Sequence, residues 1–140
     1  MSRTISAEII SRAETKPKGK WIAYWTVTFL LVATVMLSGI GQLMQYGGNI
    51  DLVTNLGYPI YVLTILGMWK VLGAIALVVP GFPRMKEWAH AGIFFIMTGA
   101  ALSHAFANDY GEYGFHIILP LFYAVLNIAS WTLRPKSRKL

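Results

Sequence analysis

Four long apolar segments constrain this sequence more than any other feature. They cover residues 21–43, 60–79, 88–107 and 115–133, and the only Lys, Arg, Asp or Glu within them is Lys70. A helix of about 20 mostly apolar residues spans a hydrocarbon core of about 30 Å. No segment shows the continuous polar stripe of a helix that faces water. We therefore expect four membrane-spanning helices.

The composition agrees with a membrane protein. Apolar residues make up 56% of the chain and charged residues 13%, against roughly 45–50% and 25% in typical globular domains. A net charge of +6 would ordinarily favour nucleic acid or an anionic membrane surface as a partner. The sequence contains no cysteine, which excludes disulfides, thiolate metal sites and dithiol redox chemistry.

The distribution of Lys and Arg predicts how the helices are oriented. Apart from Lys70, these residues lie in residues 1–20, between the second and third segments, or in residues 134–140, while loops 44–59 and 108–114 contain none. Such residues gather on the cytoplasmic side of a membrane. We expect an all-α transmembrane four-helix bundle with up-down-up-down topology and both termini in the cytoplasm. The basic residues then contact the lipid bilayer, and no nucleic-acid partner is expected.

The chain divides into three parts. Residues 1–20 are a basic cytoplasmic segment, expected to be disordered or to lie on the surface, residues 21–133 are the transmembrane domain, and residues 134–140 are a basic cytoplasmic tail. Pro59 suits the first position of the second helix, where its missing N–H costs nothing. Pro120 predicts that the fourth helix starts late or is kinked.

Lys70 is the most informative polar residue at depth. It lies about 15 Å from the outer end of its helix, where an unpaired cation costs about 2.5–3.5 kcal/mol. Gln42, Ser103, His104 and His116 belong to the same outer half. We expect the ammonium to face the bundle interior within reach of Ser103 or His104. Snorkelling to the outer boundary and an ion pair with a loop carboxylate remain alternatives.

Other residues are assigned to packing. Gly99 and Ser103 form a small-xxx-small pair, so we expect Gly99 to lie against a neighbouring helix. Asn127 is interpreted as an interhelical hydrogen-bonding residue. No metal site is expected, because the three histidines lack supporting carboxylates at helical spacing. No nucleophile and base are grouped convincingly, so catalytic residues stay unassigned.

Two stretches resemble a known family. They are "LGYPIYVLTILGMWKVLGAIALVVPGFPRMKEWAHAG" (residues 56–92) and "GAALSH" (residues 99–104), and they resemble the DoxX-like family of small four-helix membrane proteins. The other two helices agree in length and topology. His90 departs from the tyrosine that the family pattern implies. The motif residues that the resemblance makes candidates for function are Tyr58, Lys70, Glu87, Trp88, Ser103 and His104.

The resemblance implies a multi-pass protein of the bacterial cytoplasmic (inner) membrane. Most members of the family have no assigned activity. Its wider relatives include a membrane subunit of thiosulfate:quinone oxidoreductase and proteins that gather redox enzymes at the bacterial membrane. The first hypothesis is therefore a non-catalytic membrane subunit or scaffold with a redox enzyme as partner.

The second hypothesis is a binding protein. A quinone or another small amphipathic molecule would occupy a pocket in the outer leaflet around Lys70 and His104. The residues predicted to line this pocket are Gln42, Tyr58, Lys70, Ser103, His104 and His116. No intrinsic cofactor and no independent catalytic activity are expected, and assembly into a homo-oligomer stays open.

Overall fold

The structure is a computed structural model that describes the backbone of residues 2–139 and the side chains of residues 4–8 and 18–139. The described residues form helices and connecting segments without a β-strand, which confirms the all-α class. The α-helices of this part of the chain are α1 (Ser2–Leu43), α2 (Asn49–Asn55), α3 (Tyr61–Val78), α4 (Pro83–Phe106) and α5 (Phe115–Leu133). Short 3-10 helices cover Glu112–Gly114 and Lys136–Arg138.

Four helical segments are long and apolar enough to cross a membrane. Within the described residues they are Lys18–Leu43, Tyr61–Val78, Pro83–Phe106 and Glu112–Leu133. Each overlaps one of the four predicted spans. The third begins at Pro83 instead of residue 88 because Phe82, with a φ of 52°, is left-handed and precedes a proline in the first turn.

The chain contains more helix than the sequence predicted. The sequence predicted that residues 1–20 are disordered or lie on the surface, whereas α1 begins at Ser2 and residues 2–20 are helical. The loop predicted over residues 44–59 contains the short helix α2. Helix α5 begins at Phe115 and includes Pro120 in its interior, so the alternative of a late start is wrong.

The four long helices pack in a ring. Helix α1 contacts α3 and α5, and α4 contacts the same two helices, while the short α2 contacts α3. The buried apolar core between the long helices consists of Leu31, Val35, Ala74, Leu77, Ile93, Met97 and Ala124. Outside the ring, large apolar side chains such as Phe29 and Phe95 are each 70% exposed. An apolar outer surface of this kind suits contact with lipid.

Polar contacts also join helices inside the bundle. The buried hydroxyls of Thr28 and Ser130 lie 2.6 Å apart and link α1 to α5. Asn127 Nδ2 donates to the backbone oxygen of His90 at 2.8 Å, and His90 Nδ1 lies 2.9 Å from Asn127 Oδ1. The predicted interhelical hydrogen bond of Asn127 is confirmed. Its partner on α4 is His90.

Helices α1 and α3 approach closely at two glycines. A Cβ atom on Gly67 would lie 2.7 Å from the backbone oxygen of Gly39 and 2.9 Å from the backbone nitrogen of Leu43. Because these distances are too short for a real Cβ atom, only glycine fits. A Cβ atom on Gly99 would have no atom of a neighbouring helix within 4 Å. Gly99 instead lines a cavity. The prediction that Gly99 packs against a neighbouring helix is therefore wrong.

We expect Gly67→Ala to destabilise the bundle and Gly99→Ala to leave its stability unchanged or slightly raised. Both glycines lie inside helices, so the gain in helix propensity is similar, and the comparison isolates the α1–α3 contact. Overpacking costs about 1–3 kcal/mol. Thermal unfolding in detergent, followed by circular dichroism, should give a lower Tm for Gly67→Ala. Equal Tm values for the two variants would contradict the close approach.

Candidate ligand-binding site

Lys70 is buried where α3 packs against α1. The residue is 7% exposed, and its Nζ donates to Ser38 Oγ at 2.9 Å. The burial agrees with the predicted interior position of this lysine. Its hydrogen-bond partner is Ser38 on α1, which the sequence did not predict. Ser103 and His104, the residues predicted to lie within reach of the ammonium, line a cavity together with Lys70. Among the ion pairs of the described residues, none includes Lys70, so the alternative of a loop carboxylate is wrong.

Two adjoining cavities lie beside Lys70. The first has a volume of about 800 Å³ and the second a volume of about 470 Å³. Gln42, Lys70 and His104 line both of them. Both volumes fall within the range of about 300–1,000 Å³ that is typical of small-molecule sites.

The six residues predicted to bind a ligand are divided between these cavities. In addition to the three that line both, His116 lines the first cavity, and Tyr58 and Ser103 line the second. The structure therefore brings all six to two cavities that extend from Lys70, in the middle of α3, to one end of the bundle. That end is formed by residues 42–58 and 103–120. We call it the acidic end, because its charged residues are Asp51, Asp109 and Glu112.

Tyr58 and Ser103 bind each other across the second cavity. The tyrosine hydroxyl and Ser103 Oγ lie 2.8 Å apart. Tyr58 follows α2 in the chain, and Ser103 belongs to α4, so this hydrogen bond fastens the connection between α2 and α3 to a third helix. Both residues therefore help to shape the cavity as well as to line it.

Gln42 leaves a buried hydrogen-bond acceptor without a partner. Its Oε1 atom is buried, and no donor among the described residues reaches it. An unpaired buried acceptor of this kind costs about 1–3 kcal/mol. The ammonium of Lys70 has three N–H donors, of which Ser38 accepts one. The shared wall of the cavities thus combines an acceptor and donors that a ligand can satisfy.

Asp109 joins two histidines at the acidic end. Its Oδ2 atom lies 3.0 Å from Nδ1 of His104. Its Oδ1 atom lies 3.0 Å from Nδ1 of His116. Because a carboxylate only accepts, both Nδ1 atoms donate. Burial tends to raise the pKa of Asp109, but hydrogen bonds from both histidines, together with their charges, outweigh it. The pKa therefore lies below its usual value, and the carboxylate is ionised at neutral pH.

The loop that carries Asp109 has an unusual backbone. Positive φ angles occur at Asn108 (54°), Gly111 (67°), Tyr113 (53°) and Gly114 (76°). Such conformations are uncommon for residues other than glycine and concentrate at functional sites. The Asp109 N–H donates to the His104 carbonyl at 2.9 Å, and the His116 N–H donates to the Tyr110 carbonyl at 3.1 Å. These turns place Asp109 between the histidines, which helical spacing alone did not predict.

Cations bind the opposite end of α3. Lys86 donates to the carbonyls of Val79 and Gly81, and Arg138 donates to those of Leu77 and Val78. The last carbonyls of a helix lack partners within the helix and attract cations. The Arg138 guanidinium also lies 4.6 Å from the ring centre of Trp25 on α1. Sequence reasoning missed both roles, since it treated these residues as lipid contacts.

Two motif residues lie away from both cavities. Glu87 forms an ion pair with Arg134 at 2.7 Å and accepts a hydrogen bond from Trp131 Nε1, also at 2.7 Å. Trp88 is 76% exposed. Glu87 therefore joins α4 to the end of α5, and neither residue contributes to the acidic-end cavities.

Comparison with known proteins assigns the chain to a family. The family model described as the DoxX-like family matches residues 26–130, which is most of the chain. The chain belongs to the DoxX-like family. Comparisons with curated proteins and with solved structures found no significant match. Family membership and the four apolar helices together identify a multi-pass membrane protein.

The region matched to the DoxX-like family contains every residue that lines either cavity. Arg134 and Arg138, which stabilise the opposite end, lie beyond it. In this DoxX-like chain, the cavities therefore belong to the part that the family shares, while part of the support for α3 comes from the C-terminal tail.

For the DoxX-like chain we expect Asp109→Asn to loosen the loop at the acidic end. An asparagine has a single amide oxygen and no charge, so it can accept from one histidine, and its NH2 group can bond to the other only if that imidazole moves its proton to Nε2. Amide hydrogen exchange of residues 107–116 should become faster. Asp51→Asn is the matched control, because Asp51 is an exposed carboxylate in α2 at the same end. Unchanged exchange in Asp109→Asn would contradict a supporting role for the carboxylate.

Proposed function

We propose that this protein resides in a bacterial cytoplasmic membrane with up-down-up-down topology and both termini in the cytoplasm. The basic residues of the tail and of the connection between α3 and α4 support this orientation, because Lys and Arg accumulate on the cytoplasmic side. The contacts of α1 with α3 support the topology. Gly39 is close to Lys70, and Leu43 is close to Gly67. Residue numbers therefore rise along α1 in the direction in which they fall along α3, so the two helices are antiparallel. The acidic end then faces the outside.

We expect cysteines introduced at the two ends to react from opposite sides of the membrane. The chain has no cysteine of its own, so each label reports one position. In intact cells, a membrane-impermeant maleimide should modify Asn55→Cys and should leave Ser137→Cys unmodified until the membrane is permeabilised. The opposite pattern would overturn the orientation, and labelling of both in intact cells would overturn the topology.

We further propose that the acidic-end cavities bind a small amphipathic molecule with an oxygen-bearing ring, for which a quinone is the reference ligand. The observation that carries this proposal is the shared wall, where Lys70 has spare donors and Gln42 Oε1 is an unpaired buried acceptor. Buried polar groups without partners are rare in folded proteins. A ligand that supplies both partners would remove this deficit.

The two redox forms of a quinone suit this pair differently. A quinone carbonyl accepts a hydrogen bond from the Lys70 ammonium, whereas the hydroxyl of the reduced quinol can also donate to Gln42 Oε1. Apolar side chains supply much of the remaining wall of each cavity, and Leu52 and Met97 line both. Apolar walls with a few convergent polar groups are the usual design of a small-molecule site.

We propose that the protein works as a non-catalytic membrane subunit or scaffold for a redox enzyme. A chain without cysteine has no thiolate or disulfide to accept electrons from a bound quinol. A bound quinone would therefore exchange electrons with a partner protein, and this protein would hold the ligand in place at the membrane. This role combines the two hypotheses that the sequence left open.

We expect Lys70→Met to weaken quinone binding without destabilising the protein. Methionine keeps an unbranched apolar side chain and removes the buried charge. A hydrogen bond to a charged group contributes about 1.5–3 kcal/mol, so Kd should rise by about tenfold or more. Binding of a short-chain benzoquinone to protein in lipid nanodiscs is measured by isothermal titration calorimetry. Gln42→Leu should weaken binding of the reduced quinol in the same way.

Trp69→Phe is the control for partition of quinone into the nanodisc. Trp69 precedes Lys70 on the same helix, is 60% exposed and lines neither acidic-end cavity. The Trp69→Phe variant should bind the benzoquinone with the same Kd as the parent protein. If Lys70→Met retains the parent Kd, or if the parent binds no more quinone than empty nanodiscs, the proposed ligand is wrong.

A further inference from the structure

We propose that His104, Asp109 and His116 bind a divalent transition-metal ion, with Zn²⁺ as the reference ion. The three side chains come from the end of α4, the following loop and the start of α5. This site is additional to the proposed quinone site, although two of its residues line the first cavity. The sequence predicted no metal site, so the inference comes from the structure.

The candidate donor atoms of the three side chains lie near one another. One ligand atom from each residue can be chosen so that all three lie within 4.8 Å of one another. Each Nδ1–carboxylate distance is 3.0 Å. In a tetrahedral site with bonds of about 2.0–2.2 Å, ligand atoms lie about 3.3–3.5 Å apart. Because the separations within the set reach as much as 4.8 Å, the side chains would have to draw together by about 1 Å to bind a zinc ion.

The chemistry of the donor set suits zinc. Two imidazole nitrogens and a carboxylate are common zinc ligands, and three protein ligands leave a fourth position for water or another ligand. On binding, each neutral imidazole offers the Nδ1 lone pair and carries its proton on Nε2. The metal then replaces the two hydrogen bonds to Asp109, and its positive charge is partly balanced by the carboxylate.

The backbone holds the three ligands before any ion binds. A Cβ atom on Gly111 would lie 2.7 Å from Cδ2 of His116, so the glycine lets the loop pass directly against that ring. The hydrogen bonds from Asp109 N–H to the His104 carbonyl and from His116 N–H to the Tyr110 carbonyl fix the loop at two further points. Such preorganisation favours binding, because fewer side chains must be immobilised when the ion arrives.

The site is accessible and lies in a region that attracts cations. The side chains of His116 and Asp109 are 35% and 27% exposed, while that of His104 is 11% exposed. An ion can therefore enter from solution and remain anchored on a buried histidine. The loops around the site contain carboxylates and no Lys or Arg, which favours the approach of a divalent cation.

A purely structural hydrogen-bonded bridge is the competing interpretation. It explains the two distances of 3.0 Å without an ion and predicts that the protein has no particular affinity for zinc. The two interpretations predict different amounts of bound zinc. Substitution of Asp109 or of a histidine would change the stability of the protein under either interpretation, so bound zinc is the more direct test.

The experiment measures zinc directly. The protein is purified without a polyhistidine tag, treated with a chelator, dialysed and titrated with ZnCl₂ in detergent. Bound zinc per chain is then determined by inductively coupled plasma mass spectrometry. We expect about one zinc per chain for the parent and for Asp51→Asn, and at least a tenfold loss of affinity for His116→Ala and for Asp109→Asn. Equal zinc binding by all four proteins, or none by the parent, would overturn the proposal.

A second measurement covers variants that fail to fold. Co²⁺ in place of Zn²⁺ gives intense visible absorption in a tetrahedral site with nitrogen and oxygen ligands, and the parent protein alone suffices for this readout. Absence of that absorption at saturating Co²⁺ would contradict the proposed geometry. Because Lys70→Met leaves all three ligands in place, it should bind zinc like the parent, so the outcome for the metal is independent of the outcome for the quinone.

Discussion

The buried ammonium of Lys70 is the interaction on which the rest of the site depends. A cation at this depth is tolerated only with a polar partner, and Ser38 provides one at 2.9 Å. The contact exists because Gly39 and Gly67 let α1 and α3 approach so closely that a Cβ atom on either glycine would clash. The same contact places Gln42, one turn beyond Ser38, beside the lysine in the wall of both cavities. Close packing and the polar site are therefore parts of one arrangement.

The two ends of the bundle solve opposite problems. At one end, Lys86 and Arg138 satisfy the last carbonyls of α3, and Arg138 also contacts Trp25. These bonds hold three helical regions together. At the acidic end, the polar groups point to two cavities, and one buried acceptor has no partner among the described residues.

Five residues of the candidate site followed from residue type and depth, and Tyr58 followed from the family resemblance. All six line the cavities. Two of their neighbours did not follow in the same way. Ser38 was not predicted as a partner of Lys70, because nothing in the linear sequence pairs positions 38 and 70. Asp109 lies five residues after His104 and seven before His116, which matches no helical spacing, and only the left-handed turns of its loop bring its carboxylate between the two rings. The hydrogen-bonding capacity of a serine or a loop carboxylate is evident from the residue itself. The partner that it binds depends on residues far away in the sequence.

The sequence by itself determined the class of this protein: four helices, their approximate limits and the segregation of basic from acidic loops. These follow from hydrophobic length and charge, which act on each segment separately and need no knowledge of its neighbours. Only the tertiary structure decided which glycines touch a neighbour, since Gly67 does and Gly99 does not. It also decided which groups meet Lys70 and which carboxylate joins the two histidines. Those outcomes depend on how helices rotate and slide against one another, and many rotations bury similar amounts of apolar surface while only some of them pair the polar groups.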